Sequence, residues 1–254
     1  MVSVKTAWEV EKMKAAGQIA ADALHLAGKS IKPGVTTAEL DKIIGRYITS
    51  KGAKPSFLGY NGFPGNACIS LNSKVIHGIP SKSERLRDGD IVSIDVGAYK
   101  DGFHGDTAYT FACGRISDAD RKLLDETKAS LMVGISKAIV GGRIGDISAA
   151  IQEHCESFGF GVVKDYVGHG VGSKLHESPE IPNFGKANRG LRLVSGMTLA
   201  IEPMINLKGD GIRVLKDGWT VVTKSGSASA HFEHTICVTE DGPLILTLPS
   251  DGLQ

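Results

Sequence analysis

The sequence is poor in cysteine and has no paired cysteine motif. Its four cysteines, Cys68, Cys113, Cys155 and Cys237, are scattered through 254 residues without CxxC spacing. This pattern indicates neither a zinc ribbon nor a disulfide framework. The simplest compartment for such a chain is the reducing cytoplasm.

Long apolar runs and an excess of one charge are also missing. No stretch approaches the roughly 18 apolar residues of a membrane-spanning helix, and the N-terminus has no apolar core of the signal-peptide kind. The 29 basic and 28 acidic residues leave a net charge of +1. That balance gives no electrostatic argument for nucleic acid or an anionic membrane as a partner, and we expect neither.

Several catalytic motifs are absent as well. The chain has no HExxH, no GxSxG and no GxGxxG or Walker phosphate loop. Mononuclear zincin, serine hydrolase and phosphate-loop mechanisms therefore have no support.

What the chain does have is a set of five residues of metal-ligand type. They are Asp95, Asp106, His169, Glu202 and Glu233. Four carboxylates and one imidazole suit one or two divalent ions that share bridging carboxylates, whereas a closed structural zinc site uses four Cys or His ligands. Buried together without cations, four carboxylates would be costly. The set therefore indicates a two-metal hydrolase.

A weak internal repeat places these carboxylates in two halves of the chain. Residues of like type recur 107 positions apart: Gly34 and Gly141, Leu40 and Ile147, Ile44 and Ile151, Gly52 and Gly159, Gly89 and Gly196, Ile94 and Ile201, and Asp95 and Glu202. After an insertion of about twenty residues, Asp106 falls over Glu233. We predict a single catalytic domain, 1–254, with halves of about 1–112 and 113–250. A pseudo-twofold arrangement of the halves would bring the carboxylates together.

Local signals predict four helices and a hairpin. Thr6 and Thr36, each followed by Glu three residues later, are typical of capping boxes. Ser117 should cap a third helix that ends at Gly141-Gly142, and a fourth carries Ile147 and ends before Gly159. The strands 91–96 and 107–111 should be joined by a glycine-rich turn, 97–105, making Asp95 and Asp106 neighbours.

Seven of the eight histidines lie outside the ligand set, and four of them need separate consideration. His77 and His176 could donate hydrogen bonds to a scissile carbonyl or to the collapsing intermediate, although a surface position is equally compatible with their spacing. His231 and His234 flank Glu233. Because strand side chains alternate, at least one of these two should point away from Glu233, and neither is assigned a role.

Taken in order, the ligand segments resemble those of the methionine aminopeptidase family, in its bacterial-like type I form. The matching motifs are Ile94-Asp95-Val96, His104-Gly105-Asp106-Thr107, Gly168-His169-Gly170-Val171-Gly172, Ile201-Glu202-Pro203 and Glu233-His234-Thr235. The likeness runs from the first helix to Val238 and includes 68–72, 77–80 and 217–220. It implies an α+β pita-bread fold, which is itself a duplication.

The resemblance also implies an activity. The implied reaction is the metal-dependent removal of the N-terminal methionine from nascent proteins when the second residue is small. The resemblance also implies a monomer in the cytoplasm that could meet nascent chains at the ribosome. Two divalent ions (Co, Mn, Fe(II), Zn or Ni) are implied, one held by Asp95, both bridged by Asp106 and Glu233, and the other held by His169 and Glu202. A bridging water would attack, and Glu202 would carry its proton.

Further residues match the family's substrate site. His77 and His176 would contact substrate. Tyr60, Phe63, Cys68, Leu175 and Trp219 match the methionine pocket, where aromatic and soft groups suit a thioether, although each could instead be core packing. Leu175 stands where Phe is common, and Gly97 and Ala200 stand where Thr is common. These departures affect the pocket wall and the surroundings of the ligands.

Two other functions fit the same fold. One is an Xaa-Pro aminopeptidase or prolidase, but such relatives usually carry an extra N-terminal domain, whereas here the first helix of the catalytic half begins near Thr6. The other is a non-catalytic peptide-binding module, but such relatives lose ligands, and all five are present. The methionine-directed activity is therefore favoured.

Overall fold

A computed structural model describes residues 2–251 of the chain, so Met1 and residues 252–254 of the predicted domain lie outside the described residues. The helices are α1 (Ala7–Lys29), α2 (Thr37–Ser50), α3 (Asp118–Ser136) and α4 (Ile144–Ser157), with a short 3-10 helix at Tyr60–Gly62. The strands are β1 (Lys54–Pro55), β2 (Cys68–Leu71), β3 (Lys74–Ile76), β4 (Ile91–Lys100), β5 (Phe103–Ala112), β6 (Gly161–Val162), β7 (Gly168–Gly170), β8 (Glu177–Ile181), β9 (Thr198–Ile201), β10 (Met204–Asn206), β11 (Ile212–Val214), β12 (Val221–Thr223), β13 (Ser229–His231), β14 (Glu233–Thr239) and β15 (Gly242–Ile245).

The predicted helix starts are confirmed by their caps. Thr6 and Thr36 each form a complete capping box with the glutamate three residues later, and the Ser117 hydroxyl accepts a hydrogen bond from the Asp120 N–H at 3.0 Å. The predicted end of the third helix at Gly141-Gly142 is wrong, since α3 ends at Ser136. Beyond the helix, the Gly141 N–H bonds to the Leu193 carbonyl at 3.0 Å.

The hairpin that carries the two aspartates is longer than predicted. β4 and β5 run ten residues each and turn at Asp101-Gly102, so the predicted turn 97–105 is wrong. Both turn residues have positive φ, 49° and 93°, as an Asp-Gly hairpin turn requires. In this register Asp95 pairs with Ala108 and Asp106 with Gly97. The two aspartates are therefore diagonal neighbours on one face of the sheet.

One nine-stranded sheet connects the two halves of the chain. Its order is β1-β4-β5-β14-β9-β7-β8, with β2 beside β4 and β15 beside β14. The halves meet where β5 and β14 pair, with Glu233 opposite Ala108. Two threonine side chains form hydrogen bonds across this junction. The Thr107 hydroxyl donates to the Glu233 carbonyl, and the Thr235 hydroxyl donates to the Asp106 carbonyl, both at 2.8 Å.

The helices cover the face of the sheet opposite the carboxylates. Leu40 and Ile44 of α2 pack in one core cluster with Ile94 of β4, and Ile147 of α4 packs in another with Ile201 of β9. Strand side chains alternate between faces. The residues that follow these two isoleucines, Asp95 and Glu202, therefore point away from the helices, toward the other face.

The backbone repeats at the offset that the sequence predicts. α2 and α4 are both 14 residues long and begin 107 positions apart, at Thr37 and Ile144. The isolated bridge between Thr36 and Arg85 recurs between Arg143 and Arg192 at the same offset. A common origin of the two halves stays a prediction.

Candidate active site

The five residues of ligand type come from separate elements and meet on the concave side of the sheet. One ligand atom each from Asp106 on β5, His169 on β7 and Glu233 on β14 lies within 4.8 Å of the other two. Glu202, immediately after β9, joins this group through its Oε1, 3.6 Å from the His169 Nε2. Asp95 on β4 lies close enough to Asp106 and Glu202 for their charges to raise its pKa, after the larger effect of burial.

The glycines around His169 are needed for strand packing. A Cβ on Gly168 would lie 2.3 Å from the Ala200 carbonyl oxygen, and one on Gly170 would lie 2.4 Å from that of Ser178. Because β7 runs between β8 and β9, it must approach the backbone of both neighbours. The neighbouring backbones therefore occupy the space beside both glycines.

The His169 ring is oriented as a metal ligand should be. Its Nδ1 lies 2.8 Å from the Gly170 carbonyl oxygen, so Nδ1 carries the proton and donates it. The lone pair of Nε2 then faces Asp106 and Glu202, at 3.9 and 3.6 Å. Burial, with a smaller contribution from His176, lowers the pKa of His169 to about 3 and keeps the ring neutral. A neutral imidazole fixed by a backbone carbonyl is the usual form of a histidine ligand.

The carboxylates fit a cationic occupant. Among residues 2–251, the buried Asp95 Oδ1, Asp106 Oδ1 and Glu233 Oε1 have no hydrogen-bond partner. Burial raises the pKa of Asp106 to about 7, and burial followed by the Asp106 charge raises the pKa of Glu202 and of Glu233. Acids crowded in this way repel one another unless cations neutralise them. An oxygen-rich set with one imidazole nitrogen suits divalent ions of several kinds.

His77 reaches the site through a strained backbone. Its φ is +58°, in the left-handed region that non-glycine residues rarely occupy. The next residue, Gly78, presses against β2, where a Cβ would lie 2.1 Å from the Ile69 carbonyl oxygen. The His77 ring packs edge-on against Tyr166 and Trp219, with centroids 5.5 and 6.3 Å away. Such strain is typical of residues held in place for function.

His176 lies between the ligand group and the rim. Its ring centroid is 4.1 Å from that of His169, and its Nδ1 is hydrogen-bonded to the Tyr60 hydroxyl at 2.8 Å. Burial lowers the pKa of His77 to about 4 and the pKa of His176 below its usual range. Both imidazoles are therefore neutral near neutral pH and can offer N–H donors.

The pocket residues adjoin the carboxylates in one cavity. Its volume is about 190 Å³, and it is lined by Tyr60, Phe63, Cys68, His77, Leu175, His176 and Trp219 together with all five residues of ligand type. Phe63, Cys68 and Leu175 form a buried apolar cluster, and Trp219 packs edge-on against Phe63 with centroids 5.2 Å apart. The structure thus brings every predicted site residue to this cavity.

Sequence reasoning missed two residues of the cavity wall and one beside it. Phe57 and Asn61 line the cavity, and Phe57 belongs to its apolar cluster, while Tyr166 supports His77. A signal for Phe57 was present: it lies in the same short aromatic segment as Tyr60 and Phe63. Tyr166 has no comparable signal, because nothing near it in sequence indicates contact with a histidine 89 positions away.

Comparison with known proteins agrees with this geometry. Residues 11–240 match the model of metallopeptidase family M24, so the chain belongs to this family of metal-dependent peptidases.

Within the family, the chain is placed among the methionine aminopeptidases. It is 50% identical to the methionine aminopeptidase of Clostridium acetobutylicum, over 98% of this chain and 99% of the relative. It is 52% identical to methionine aminopeptidase 1 of Bacillus subtilis, over 97% and 99%. The chain is therefore an enzyme of the methionine aminopeptidase group, as its sequence motifs predicted.

Solved structures confirm the α+β pita-bread fold. The crystal structure of methionine aminopeptidase from Thermotoga maritima has a TM-score of 0.96 at 46% identity, covering 97% of this chain and 99% of that one. Prolidase from Pyrococcus furiosus has a TM-score of 0.79 at 24% identity and is covered over 65% of its length, against 96% of this chain. The second likeness is one of fold alone. Within residues 2–251, no helix is long and apolar enough to span a membrane.

Proposed function

We propose that this enzyme removes the N-terminal methionine from nascent proteins and peptides whose second residue is small. The observation that carries the proposal is the single cavity in which an apolar pocket adjoins the carboxylates. Phe63, Leu175 and Trp219 offer a lining suited to an unbranched thioether. A methionine side chain in that pocket would put the first peptide bond beside the residues of ligand type.

We further propose the roles of these five residues toward metal. Asp95 would help to hold one divalent ion, His169 and Glu202 would help to hold a second, and Asp106 and Glu233 would serve both. The unpartnered carboxylate oxygens and the His169 tautomer support this assignment. Bound there, such ions supply Lewis-acid activation of water and of the substrate carbonyl. Co, Mn, Fe(II), Zn and Ni all suit this donor set.

Glu202 moves the proton in the proposed hydrolysis. As the water oxygen adds to the scissile carbonyl carbon, Glu202 accepts the water proton and then passes it to the leaving amine nitrogen. The C–N bond breaks, giving free methionine and the shortened peptide.

His77 and His176 act on the substrate in this proposal. Both are neutral donors that line the cavity, and they hydrogen-bond to the scissile carbonyl oxygen and to the oxyanion that develops from it. Because the methionine side chain occupies the apolar end of the cavity, the second residue must lie against the wall that carries these histidines. A large second side chain would collide with it.

Other parts of the proposal concern the whole protein. We propose a monomer with a single catalytic domain, 1–254, made of halves 1–112 and 113–250, that works in the cytoplasm and meets nascent chains at the ribosome. The pairing of β5 with β14 across the halves supports the single domain, and four free, buried cysteines suit a reducing compartment. Light scattering, cell fractionation and ribosome co-sedimentation test these points.

Peptide digestion tests the activity. With added Mn(II) or Co(II), the enzyme should release methionine from Met-Ala-Ser and leave Ala-Pro-Ala intact. Cleavage of Ala-Pro-Ala instead would favour a proline-directed peptidase. Binding of Met-Ala-Ser without turnover, in the presence of bound metal, would favour a peptide-binding module.

A further inference from the structure

The Glu202 carboxylate lies between two imidazoles. Its Oε1 is 3.6 Å from the Nε2 of His169, and its Oε2 is 3.7 Å from the Nε2 of His231. His169 is one of the five residues of ligand type, but His231 has no part in the roles assigned above. The question is what the second imidazole does.

His231 is buried, its backbone is fixed by hydrogen bonds, and its Nε2 is left without a hydrogen-bond partner. The residue is 2% exposed, and its Nε2 has no hydrogen-bond partner within residues 2–251. Its backbone is held twice by Thr110, which accepts from the His231 N–H at 2.9 Å and donates to its carbonyl at 2.8 Å. A buried N–H that bonds to nothing is costly. An imidazole placed so firmly should therefore have an acceptor in the working enzyme.

His231 approaches the ligand group through Glu202. Three ligand atoms, from Asp106, His169 and Glu233, lie within 4.8 Å of one another, and Glu202 lies between His169 and His231. The gap of 3.7 Å to the Glu202 Oε2 is a few tenths of an ångström beyond a hydrogen bond. A small rotation of the Glu202 side chain would close it.

We propose that His231 is a positioning residue for Glu202. Its Nε2–H donates a hydrogen bond to the Glu202 Oε2, which turns Oε1 toward His169 and the metal-binding group. This inference rests on the proposed roles of Glu202 as ligand and proton carrier. Groups that hold a ligating carboxylate or imidazole from behind typically contribute 10- to 100-fold to metal affinity or activity.

Three variants and a control test the proposal. His231→Leu keeps much of the volume and removes the donor, whereas His231→Gln keeps an N–H donor. Glu202→Gln removes the acceptor charge. His234→Gln is the matched control, because His234 also flanks Glu233 but bonds to the Thr247 hydroxyl, at 2.9 Å, away from the carboxylates. Measurements are the Kd for Mn(II) by calorimetry on metal-free protein, kcat and KM on Met-Ala-Ser, and the melting temperature.

We expect His231→Leu to weaken Mn(II) binding by about 10- to 100-fold and to lower kcat at saturating metal more than it changes KM. His231→Gln should recover most of both losses, and His234→Gln should bind Mn(II) like the parent. In the Glu202→Gln background, adding His231→Leu should cost no further Mn(II) affinity, because the two residues act as one unit.

Three results would overturn the inference. They are unchanged Mn(II) affinity and kcat in a folded His231→Leu variant, equal losses in the Leu and Gln variants, and additive losses in the Glu202→Gln background. If His231→Leu does not fold, the Gln variant decides: parent-like Mn(II) binding supports the proposal and a full loss contradicts it. Metal binding is read without substrate, so failure of the proposed peptidase activity would be seen separately.

Discussion

The ring of Phe57 occupies the space that a side chain at position 97 would need. A Cβ built on Gly97 would lie 2.9 Å from the Phe57 Cε1 and 2.7 Å from the Ser56 Cβ. Gly97 is also the strand partner of Asp106. The absence of a side chain at this position therefore lets an aromatic ring form part of the wall of the cavity.

The first prediction is that Gly97→Ala destabilises the protein. Overfilling a packed site typically costs about 1–3 kcal/mol, and the β-carbon here would meet Ser56 as well as Phe57. Urea unfolding measures the loss. Gly211→Ala is the control, because its nearest contact is the flexible Lys224 side chain at 3.2 Å. Equal stability of Gly97→Ala and the parent would contradict the packing described here.

The second prediction concerns the choice of the first residue. The parent enzyme should accept norleucine well and leucine poorly, since an apolar pocket discriminates one methylene by only ~1–3 kcal/mol but excludes a branch by shape. Phe57→Ala should raise kcat/KM for Leu-Ala-Ser relative to Met-Ala-Ser. Leu58→Ala, at an adjacent residue that is 54% exposed, should not. Equal kcat/KM values of the parent enzyme on Met-Ala-Ser and Leu-Ala-Ser would mean that the pocket residues have only a structural role.

The third prediction is that His77→Ala and His176→Ala lower kcat by about 10²-fold or more, through lost hydrogen bonds to the reacting carbonyl. Both variants should fold and bind Mn(II) like the parent. His154→Ala, which removes a 3.0 Å contact between the His154 Nε2 and the Glu126 Oε2, should keep full activity. Loss of metal or of the fold in either variant would mean that the histidine has a different role.

The fourth prediction uses the raised pKa of Asp106, about 7 against an ordinary 3.8. The native metal-free protein holds the Asp106 proton more tightly than the unfolded chain does. The protonated Asp106 therefore stabilises the fold fully below pH ~4, and this stabilisation is lost as the pH rises to about 7. Neutral buried histidines such as His169, with a pKa of about 3, contribute in the opposite direction in parent and variant alike.

Comparison of the parent with Asp106→Asn measures this effect together with the loss of the Asp106 charge, which raises the pKa of Asp95, Glu202 and Glu233. In metal-free protein, the melting temperature of the variant minus that of the parent should increase from pH 4 to pH 7. Mn(II) at pH 7.5 should stabilise the parent more than the variant, because the ions replace the protons. If the difference in melting temperature between the two metal-free proteins does not change from pH 4 to pH 7, the assignment of the raised pKa to Asp106 is contradicted.

The fifth prediction concerns the buried ion pair between Lys5 and Glu177. The Nζ lies 2.6 Å from the Glu177 Oε2, and the side chains are 4% and 12% exposed. Since Glu177 follows His176 directly, this pair connects the N-terminal segment to the residue next to His176. Lys5→Met leaves a buried charge unpaired and should cost about 3–5 kcal/mol, with a fall in kcat/KM.

Two controls accompany this measurement. Lys5→Met with Glu177→Gln should recover part of the stability, because no charge is then left unpaired. Lys12→Met breaks an exposed ion pair with Asp101, at 3.8 Å, and should change stability by no more than about 1 kcal/mol. A Lys5→Met variant as stable as Lys12→Met would show that the buried pair contributes little.

Much of the candidate site could be predicted because the neighbouring residues in the sequence identify its members. Asp95 follows the apolar strand residue Ile94, Asp106 precedes the strand residues Thr107 and Ala108, and His169 lies between glycines that the strand packing requires. The predicted turn between the aspartates is wrong because it counts the glycines at 97 and 105 as turn residues. Asp101-Gly102, with positive φ at both positions, carries the stronger hairpin signal. Gly97 is a glycine for packing against Phe57.

The sequence by itself determined the helix starts, the residues of ligand type and the family. Caps and hydrophobic spacing act within a few residues, so Thr6, Thr36 and Ser117 could be read directly. Only the tertiary structure decided which distant groups meet, such as Glu202 with His231. Those contacts depend on strand register and on packing between segments far apart in the chain, where a shift of one residue would turn every side chain to the opposite face.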